Sequence, residues 1–369
     1  KKIHCHRKNT VIFHYEETVM KTGVFYQLPC ADFQNESARI HETINQVVYA
    51  DTLGFDNAWL AELHFQSAFS VMSAPLLIAA SIAQQTDKIK IGNAVNLIPL
   101  HHPVRLAEEI ATLDVISNGR AVFGAGRGSM PSHLEGFGIQ SSDTRAQFEE
   151  SLDIILKCWS RNNVNYKGTF YNVTDVNVVP KPIQKPYPEI YIAANSQDSF
   201  EYAGSLNHNI LVTPMIISTE KVLEGLNHYR AVSSECNSVG KTHDVTVNAP
   251  IYVYEENDAE KLDPIIESVS NYIETLKKIY TSPAAIRASK HNPGIQRSLN
   301  RYNSIDFTDI DREYGIFGTA EECVDKILKL KSNLDFDQLM GWFNIGGLLS
   351  NDQVKSSMRL FAERVRPKL

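Results

Sequence analysis

No apolar run in this 369-residue chain reaches the ~20 residues that a membrane-spanning helix needs. There are five cysteines, Cys5, Cys30, Cys158, Cys236 and Cys323, an odd number with no C-x-x-C pair. That argues against a disulfide framework or a zinc knuckle and for a reducing, cytoplasmic setting, with no metal expected. Clustered basic residues are missing too, and the net charge is −7, so neither nucleic acid nor an anionic membrane is favoured as a partner. No internal repeat and no low-complexity segment breaks the chain. The basic stretch Lys1 to Val19 has three histidines but no apolar core of a signal peptide. We read 1–19 as a non-native or disordered extension, in which His4-Cys5-His6 belongs to a tail rather than to a metal site.

What remains is an ordinary globular composition, 43 % hydrophobic and 21 % charged. From Met20 onward, strand-like and helix-like patterns alternate. Strands are expected at Thr22–Leu28, Asp56–Ala61, Ile89–Leu97 and Ala121–Gly124. Four more are expected at Glu189–Ala193, Asn209–Val212, Val245–Tyr254 and Gln338–Phe343. Helical spacing covers Glu36–Leu53, closed by Gly54, then Pro75–Gln85 and Pro103–Ile116, with Pro103 suited to a first helical turn. Further helices are expected at Thr144–Trp159, Ser196–Leu206, Thr219–Ser233, Asp258–Ile279, Thr319–Lys331 and Asn351–Val365. Val164–Val178 reads as a hairpin excursion. About eight strand–helix pairs imply a parallel sheet with right-handed crossovers. In ~350 residues that fits an α/β fold of the closed (β/α)8 TIM-barrel type, here one domain over 20–369. The misfit is 281–318, which lacks strong periodicity and is read as a variable lid or insertion before the last strand.

Barrel chemistry sits at the C-terminal ends of the strands. That rule selects Glu62 to Phe65, Asn96 to His102, Gly124 to His133, Asn195-Ser196 and Asn344 to Gly347. In Gly124-Ala125-Gly126-Arg127-Gly128-Ser129, glycines would allow close backbone approach and Arg127 would supply a bidentate donor, suiting a phosphate or a flavin edge. Ser129 stands where the third glycine of a dinucleotide fingerprint would be, so that motif is not met. Asn195, Ser196 and Ser199 open a helix, and a helix N-terminus attracts anions. A plain N-cap uses the same residues, and the sequence leaves both readings open. His64 could work as an acid or base near neutral pH, or be a satisfied structural group. His101 and His102 read as loop and cap.

These residues carry a resemblance. The text from Gly54 to Phe65 resembles the bacterial-luciferase-like, flavin-dependent monooxygenases. So do Pro99 with His102 to Arg105, Leu113 to Arg120, Phe123 to Gly128, Trp342 to Gly347 and Ser357 to Ala362. The order and spacing of these pieces match across Met20 to Leu369. The resemblance implies FMN at the barrel mouth, taken in reduced form from a separate flavin reductase. It also implies O2 as co-substrate and transfer of one oxygen atom to a small organic substrate. By the same likeness the phosphate would lie near Arg127, Gly128, Ser129, Asn195, Ser196 and Ser199, and Asn96 would belong to the cofactor site. A non-proline cis peptide beneath the flavin ring would fall at Met72-Ser73. A homodimer through the helices after the second and third strands is implied too; alanine-rich Pro75–Gln85 suits either such a contact or plain core. The chain departs from the luciferase pattern at Leu63, where a histidine is needed for turnover, at Gly126, where luciferases carry a cysteine, and at Asn195, where they carry a glutamate. Light emission is therefore not expected, and His64 is left as the catalytic candidate.

Other readings stay open on the sequence. One is a relative that uses a deazaflavin coenzyme for hydride transfer. Another is a non-catalytic flavin-binding protein or regulatory subunit. A sugar hydrolase would need paired acids at strand ends, and Glu62 is the only well-placed carboxylate.

Overall fold

The computed structural model describes residues 20–236, 243–255, 262–290 and 293–369. The expected extension over 1–19, with His4-Cys5-His6, lies outside them. Twelve strands follow in chain order: β1 Lys21–Tyr26, β2 Asn57–Leu60, β3 Lys90–Asn93, β4 Asn96–Leu97, β5 Ala121–Gly126 and β6 Val164–Lys167. Then come β7 Asn172–Val176, β8 Glu189–Ala193, β9 Asn209–Val212, β10 Val245–Val253, β11 Ile316–Gly318 and β12 Gln338–Trp342. Eight of them, in the order β1-β2-β3-β5-β8-β9-β10-β12, pair in parallel and close through β12 back onto β1. β6 and β7 form the expected antiparallel hairpin outside the barrel.

The helices alternate with the strands as their patterns require. α1 Glu36–Thr52, α2 Pro75–Ala83 and α3 Pro103–Ile116 cover β1 to β3. Asn35 caps α1 by accepting from the Ala38 N–H, and Gly54 takes the positive φ of 77° just beyond its end. Proline opens both α2 and α3, where its missing N–H costs nothing. α4 Pro131–Gly136 and α5 Thr144–Ser160 follow β5, then α6 Gln197–Ser205, α7 Thr219–Cys236 and α8 Leu262–Tyr280. α12 Ala320–Leu334 precedes β12 and α13 Asn351–Leu360 follows it.

The barrel interior is filled rather than hollow. Trp59, Val122, Tyr191, Leu211 and Met340 form one buried inner cluster, with Trp59 and Tyr191 edge-to-face at 5.1 Å. The outer core lies between strands and helices, and there several of the matched motifs turn out to be structural. Arg120 donates to the Ala83, Thr86, Ile89 and Ser117 carbonyls. Asp114, fully buried, accepts from the Ile183 and Gln184 N–H groups.

Four expectations need correction. The run Ile89–Leu97 is two strands, because the chain turns at a cis peptide between Ala94 and Val95. That is the non-proline cis bond; it is not at Met72-Ser73. Met72 is wholly buried in the outer core, its N–H held by Ser70 Oγ and its carbonyl by the Leu63 N–H. Gly124 and Gly126 belong to β5 itself rather than to a loop after it. A Cβ on Gly124 would stand 1.9 Å from the Asn93 carbonyl oxygen, and one on Gly126 would stand 2.1 Å from Val95 Cγ2. These glycines make room for the turn between β3 and β4. Finally, 281–318 is not irregular. It folds as α9 Pro283–Ser289, α10 Pro293–Ser304 and α11 Phe307–Glu313, and then β11, which extends the sheet beside β10.

Candidate active site at the barrel mouth

One cavity of about 710 Å³ opens at the C-terminal ends of the barrel strands, within the ~300–1,000 Å³ usual for small-molecule sites. Its floor is the top of the inner barrel core: Ala94, Val95, Leu211 and Met340. The strand order places β5, β8 and β9 on one side of the ring and β12, β1 and β2 on the other, and the two sides carry different chemistry.

The β5–β8–β9 side is cationic. Arg127, Gly128 and Ser129 follow β5 and line the cavity, with Gly128 at φ 74°. Asn195, Ser196 and Ser199 line it from the start of α6. Here the two serines cap each other: Ser196 Oγ accepts from the Ser199 N–H, and Ser199 Oγ accepts from the Asn195 and Ser196 N–H groups. The hydroxyls therefore serve as caps, and the anion-attracting features left are the helix end itself and the guanidinium. Arg145 and Lys221 also reach the cavity, as does Arg297 from α10. Arg145 is committed to Asp198 at 2.6 Å and Glu149 at 2.9 Å. Arg127, Lys221 and Arg297 form no ion pair among the described residues. Asn195 Oδ1 is buried without a partner.

Between the two sides stands a buried carboxylate. Glu62 follows β2, lines the cavity and is 3 % exposed. Its Oε2 accepts from the Leu97 N–H at 2.7 Å, and its Oε1 meets His101 Nε2 at 2.7 Å and His64 Nε2 at 3.2 Å. Burial pushes its pKa up, but the hydrogen bonds from His101 and His64 outweigh that and hold it at about 2. Burial lowers the pKa of His101, and its bond to Glu62 more than reverses the effect, so the net shift is upward. His133 lines the cavity as well. Its Nε2 accepts from the His64 N–H at 3.1 Å, and burial together with nearby His64 pushes its pKa down to about 4, so the ring is neutral at pH 7.

The structure separates the residues singled out in the sequence. Arg127, Gly128, Ser129, Asn195, Ser196 and Ser199 come together in the cavity. Met72, Ser73 and Asn96 do not line it. Asn96 is 1 % exposed and ties Asn93 to the Gly124 carbonyl, a lock across the β3–β5 turn. His64 lies behind the wall against Glu62, and Leu63 faces the cavity in its place. Sequence reasoning selected the stretch that ends at His133 but gave that side chain no role. It also passed over the aromatic side formed by Phe25, Phe69, Tyr272, Tyr280, Tyr302 and Trp342. Its signal was faint: aromatic residues at helical spacing read as plain core.

Among the described residues no cluster could hold a metal, and no helix is long and apolar enough to cross a membrane. Comparison with known proteins agrees with the geometry. The chain is 31 % identical over 238 residues to the uncharacterized protein y4vJ of Sinorhizobium fredii, covering 64 % of this chain and 66 % of the relative. A second S. fredii protein, y4wF, matches at 33 % over 51 % of this chain and 54 % of its own length, so the chain spans between about half and two thirds of these curated relatives. The oxygenase component of the flavin-dependent trigonelline monooxygenase of Acinetobacter baylyi is 24 % identical, with 91 % of this chain and 92 % of that protein covered. In fold, the chain matches the oxygenating constituent of 3,6-diketocamphane monooxygenase of Pseudomonas putida, solved in complex with FMN. The TM-score is 0.78 at 21 % identity, over 95 % of this chain and 98 % of the other. An F420-dependent secondary alcohol dehydrogenase has the same fold at TM-score 0.71 and 16 % identity, covering 95 % and 98 %. The luciferase-like monooxygenase family model matches residues 20–335, and the chain belongs to that family.

Proposed function

We propose that the cavity binds reduced FMN, supplied by a separate flavin reductase, and that the enzyme uses O2 to oxygenate an organic substrate. The observation that carries this is the cationic side. Arg127 and Lys221 line the cavity without carboxylate partners, as does the start of α6, and Arg297 reaches the same cavity from α10. A phosphate suits the guanidinium and the helix end, and a ribityl hydroxyl suits the orphaned Asn195 Oδ1. FMN carries both groups. When bound, it would supply the reducing equivalents that activate O2.

The chain's own residues have narrower tasks. Arg127, Gly128, Ser129, Asn195 and the cap of α6 orient the phosphate end. Leu63, Val95, Leu97 and Met340 give the floor and wall an apolar surface that keeps water out. Glu62 stays ionised throughout the working range and fixes the loop after β4 through the Leu97 N–H. His133, neutral at pH 7, is the imidazole that faces the cavity, and it takes the place that the sequence pattern suggests for His64. We also propose a homodimer, since Leu77 on α2 and Val115 and Ile116 on α3 leave apolar side chains exposed.

A titration with FMN and with the deazaflavin coenzyme F420 tests the cofactor, and the shared fold of the F420-dependent dehydrogenase makes that second arm necessary. We expect FMN to bind and oxygen uptake to rise when reduced FMN and a substrate are present together. Tight binding of F420 with none of FMN would replace the proposal with hydride transfer. FMN binding with only background autoxidation for every substrate would leave a flavin-binding protein.

A further inference from the structure

The side of the cavity away from the cations is a continuous aromatic wall. Phe25 on β1 meets Trp342 on β12 edge-on at 5.2 Å, Trp342 meets Tyr272 on α8 at 4.8 Å, and Tyr272 stacks on Phe69 at 5.8 Å. Above them Tyr280 and Tyr302 pack at 5.2 Å. All six rings line the cavity, and none belongs to the cationic side. On α10, Arg301 is already spent on the Met215 and Pro214 carbonyls, whereas Arg297 lines the cavity without an ion pair among the described residues. Polar groups are nevertheless present, because the hydroxyl-bearing side chains of Tyr280, Ser298 and Tyr302 all line the cavity. A hydroxyl can both donate and accept, so these groups suit a polar substituent on a ligand.

We propose that this wall is the substrate subsite and that it takes a planar, uncharged aromatic molecule bearing a hydroxyl or carbonyl group. The inference rests on the cofactor reading above for the other half of the cavity. Three features support it. Ring pairs in edge-to-face or offset geometry gain about 0.5–1.5 kcal/mol beyond area burial, so an aromatic ligand outcompetes an alkyl chain of similar size here. The six rings themselves carry no charge, so the wall offers an ion no partner. The hydroxyls of Tyr280, Ser298 and Tyr302 can meet a polar substituent that a plain hydrocarbon lacks.

Calorimetric titration of the FMN-loaded full chain with 2-naphthol, naphthalene and decanal tests the proposal. We expect 2-naphthol to bind about threefold to tenfold more tightly than naphthalene, and naphthalene more tightly than decanal. Tyr302→Phe removes one hydroxyl and should bring 2-naphthol down to the naphthalene level while leaving naphthalene unchanged. If that variant does not fold, Tyr280→Phe gives the same test and the wild-type ranking stands by itself. Decanal equal to or tighter than 2-naphthol overturns the proposal, as does an equal loss for both aromatics in the hydroxyl variants. Release of FMN by 2-naphthol also overturns it, since the wall would then belong to the flavin. If FMN itself does not bind, the cofactor reading fails separately, and the same ranking on the FMN-free chain still decides the subsite.

Discussion

The two sides of the cavity are held in opposite ways. On the aromatic side every ring is below 9 % exposed or packed against one that is, and Trp342, Tyr272 and Phe69 are part of the hydrophobic core. On the cationic side Arg127, Lys221 and Arg297 are exposed and touch little. A wall made of core should be costly to change and selective by shape. An arc of uncommitted cations should be cheap to change and selective by charge. Substitutions that separate stability from affinity can break this comparison.

The largest effect is expected on the wall. Trp342→Ala removes a buried indole that contacts Phe25 and Tyr272. It should cost about 3–5 kcal/mol of stability, read from urea unfolding. A loss below 1 kcal/mol would mean the wall is not core.

Glu62 stands between the sides and should come next. Glu62→Gln leaves His101 without its ionised partner and should cost about 2–4 kcal/mol, less than for a wholly buried pair because His101 is partly exposed. The pH dependence follows in sign. The folded pKa of Glu62, about 2, lies below the ordinary value of 4.5, so its stabilisation is complete above pH 4.5 and is lost as pH falls toward 2. The raised pKa of His101 contributes most below 6.5 and fades as pH rises through its folded value. Unfolding curves of wild type and variant measured from pH 3 to pH 8 should converge at the acid end. Parallel curves would remove Glu62 from this role.

On the cationic side the pattern should invert. Arg127→Ala should change stability by less than about 0.5 kcal/mol but weaken FMN by about tenfold to a hundredfold, as loss of a charge-assisted contact does. Ser199→Ala is the smallest change. It dissolves the capping box of α6 and should cost about 1 kcal/mol in stability and only a few fold in FMN affinity. A larger loss in affinity than in stability would mean that the hydroxyl touches the phosphate directly.

Much of this architecture could be read from residues. The barrel was legible because buried parallel strands leave near-continuous apolar runs and because Gly54 and Pro103 punctuate helices by simple sterics. The phosphate-side residues were legible because strand-end placement gathers Arg127 with Asn195 and Ser196. Other features were hidden for physical reasons. A glycine looks the same whether it makes room for a ligand or for another strand, so Gly124 and Gly126 were read as a cradle when Asn93 and Val95 occupy that space. The turn at Ala94-Val95 leaves no mark in composition, which is why Ile89–Leu97 read as one strand and the cis bond was sought at Met72-Ser73. Which of two neighbouring side chains faces a cavity depends on local backbone direction, and that put Leu63 rather than His64 on the wall. The helices in 281–318 did leave signals: Pro283 and Pro293 at helix starts, and Asp306 capping Asp309. α9 and α11, of 7 residues each, are too short for periodicity to reveal, whereas α10, of 12, was long enough and was missed.

The cationic side is assigned to a phosphate, and FMN and riboflavin differ only in that group. Their dissociation constants, measured side by side on wild type and on Arg127→Ala, test the assignment most directly. The account predicts that wild type prefers FMN by about tenfold to a hundredfold and that Arg127→Ala loses most of that preference while binding riboflavin as before. Equal affinity of the wild type for FMN and riboflavin would contradict it.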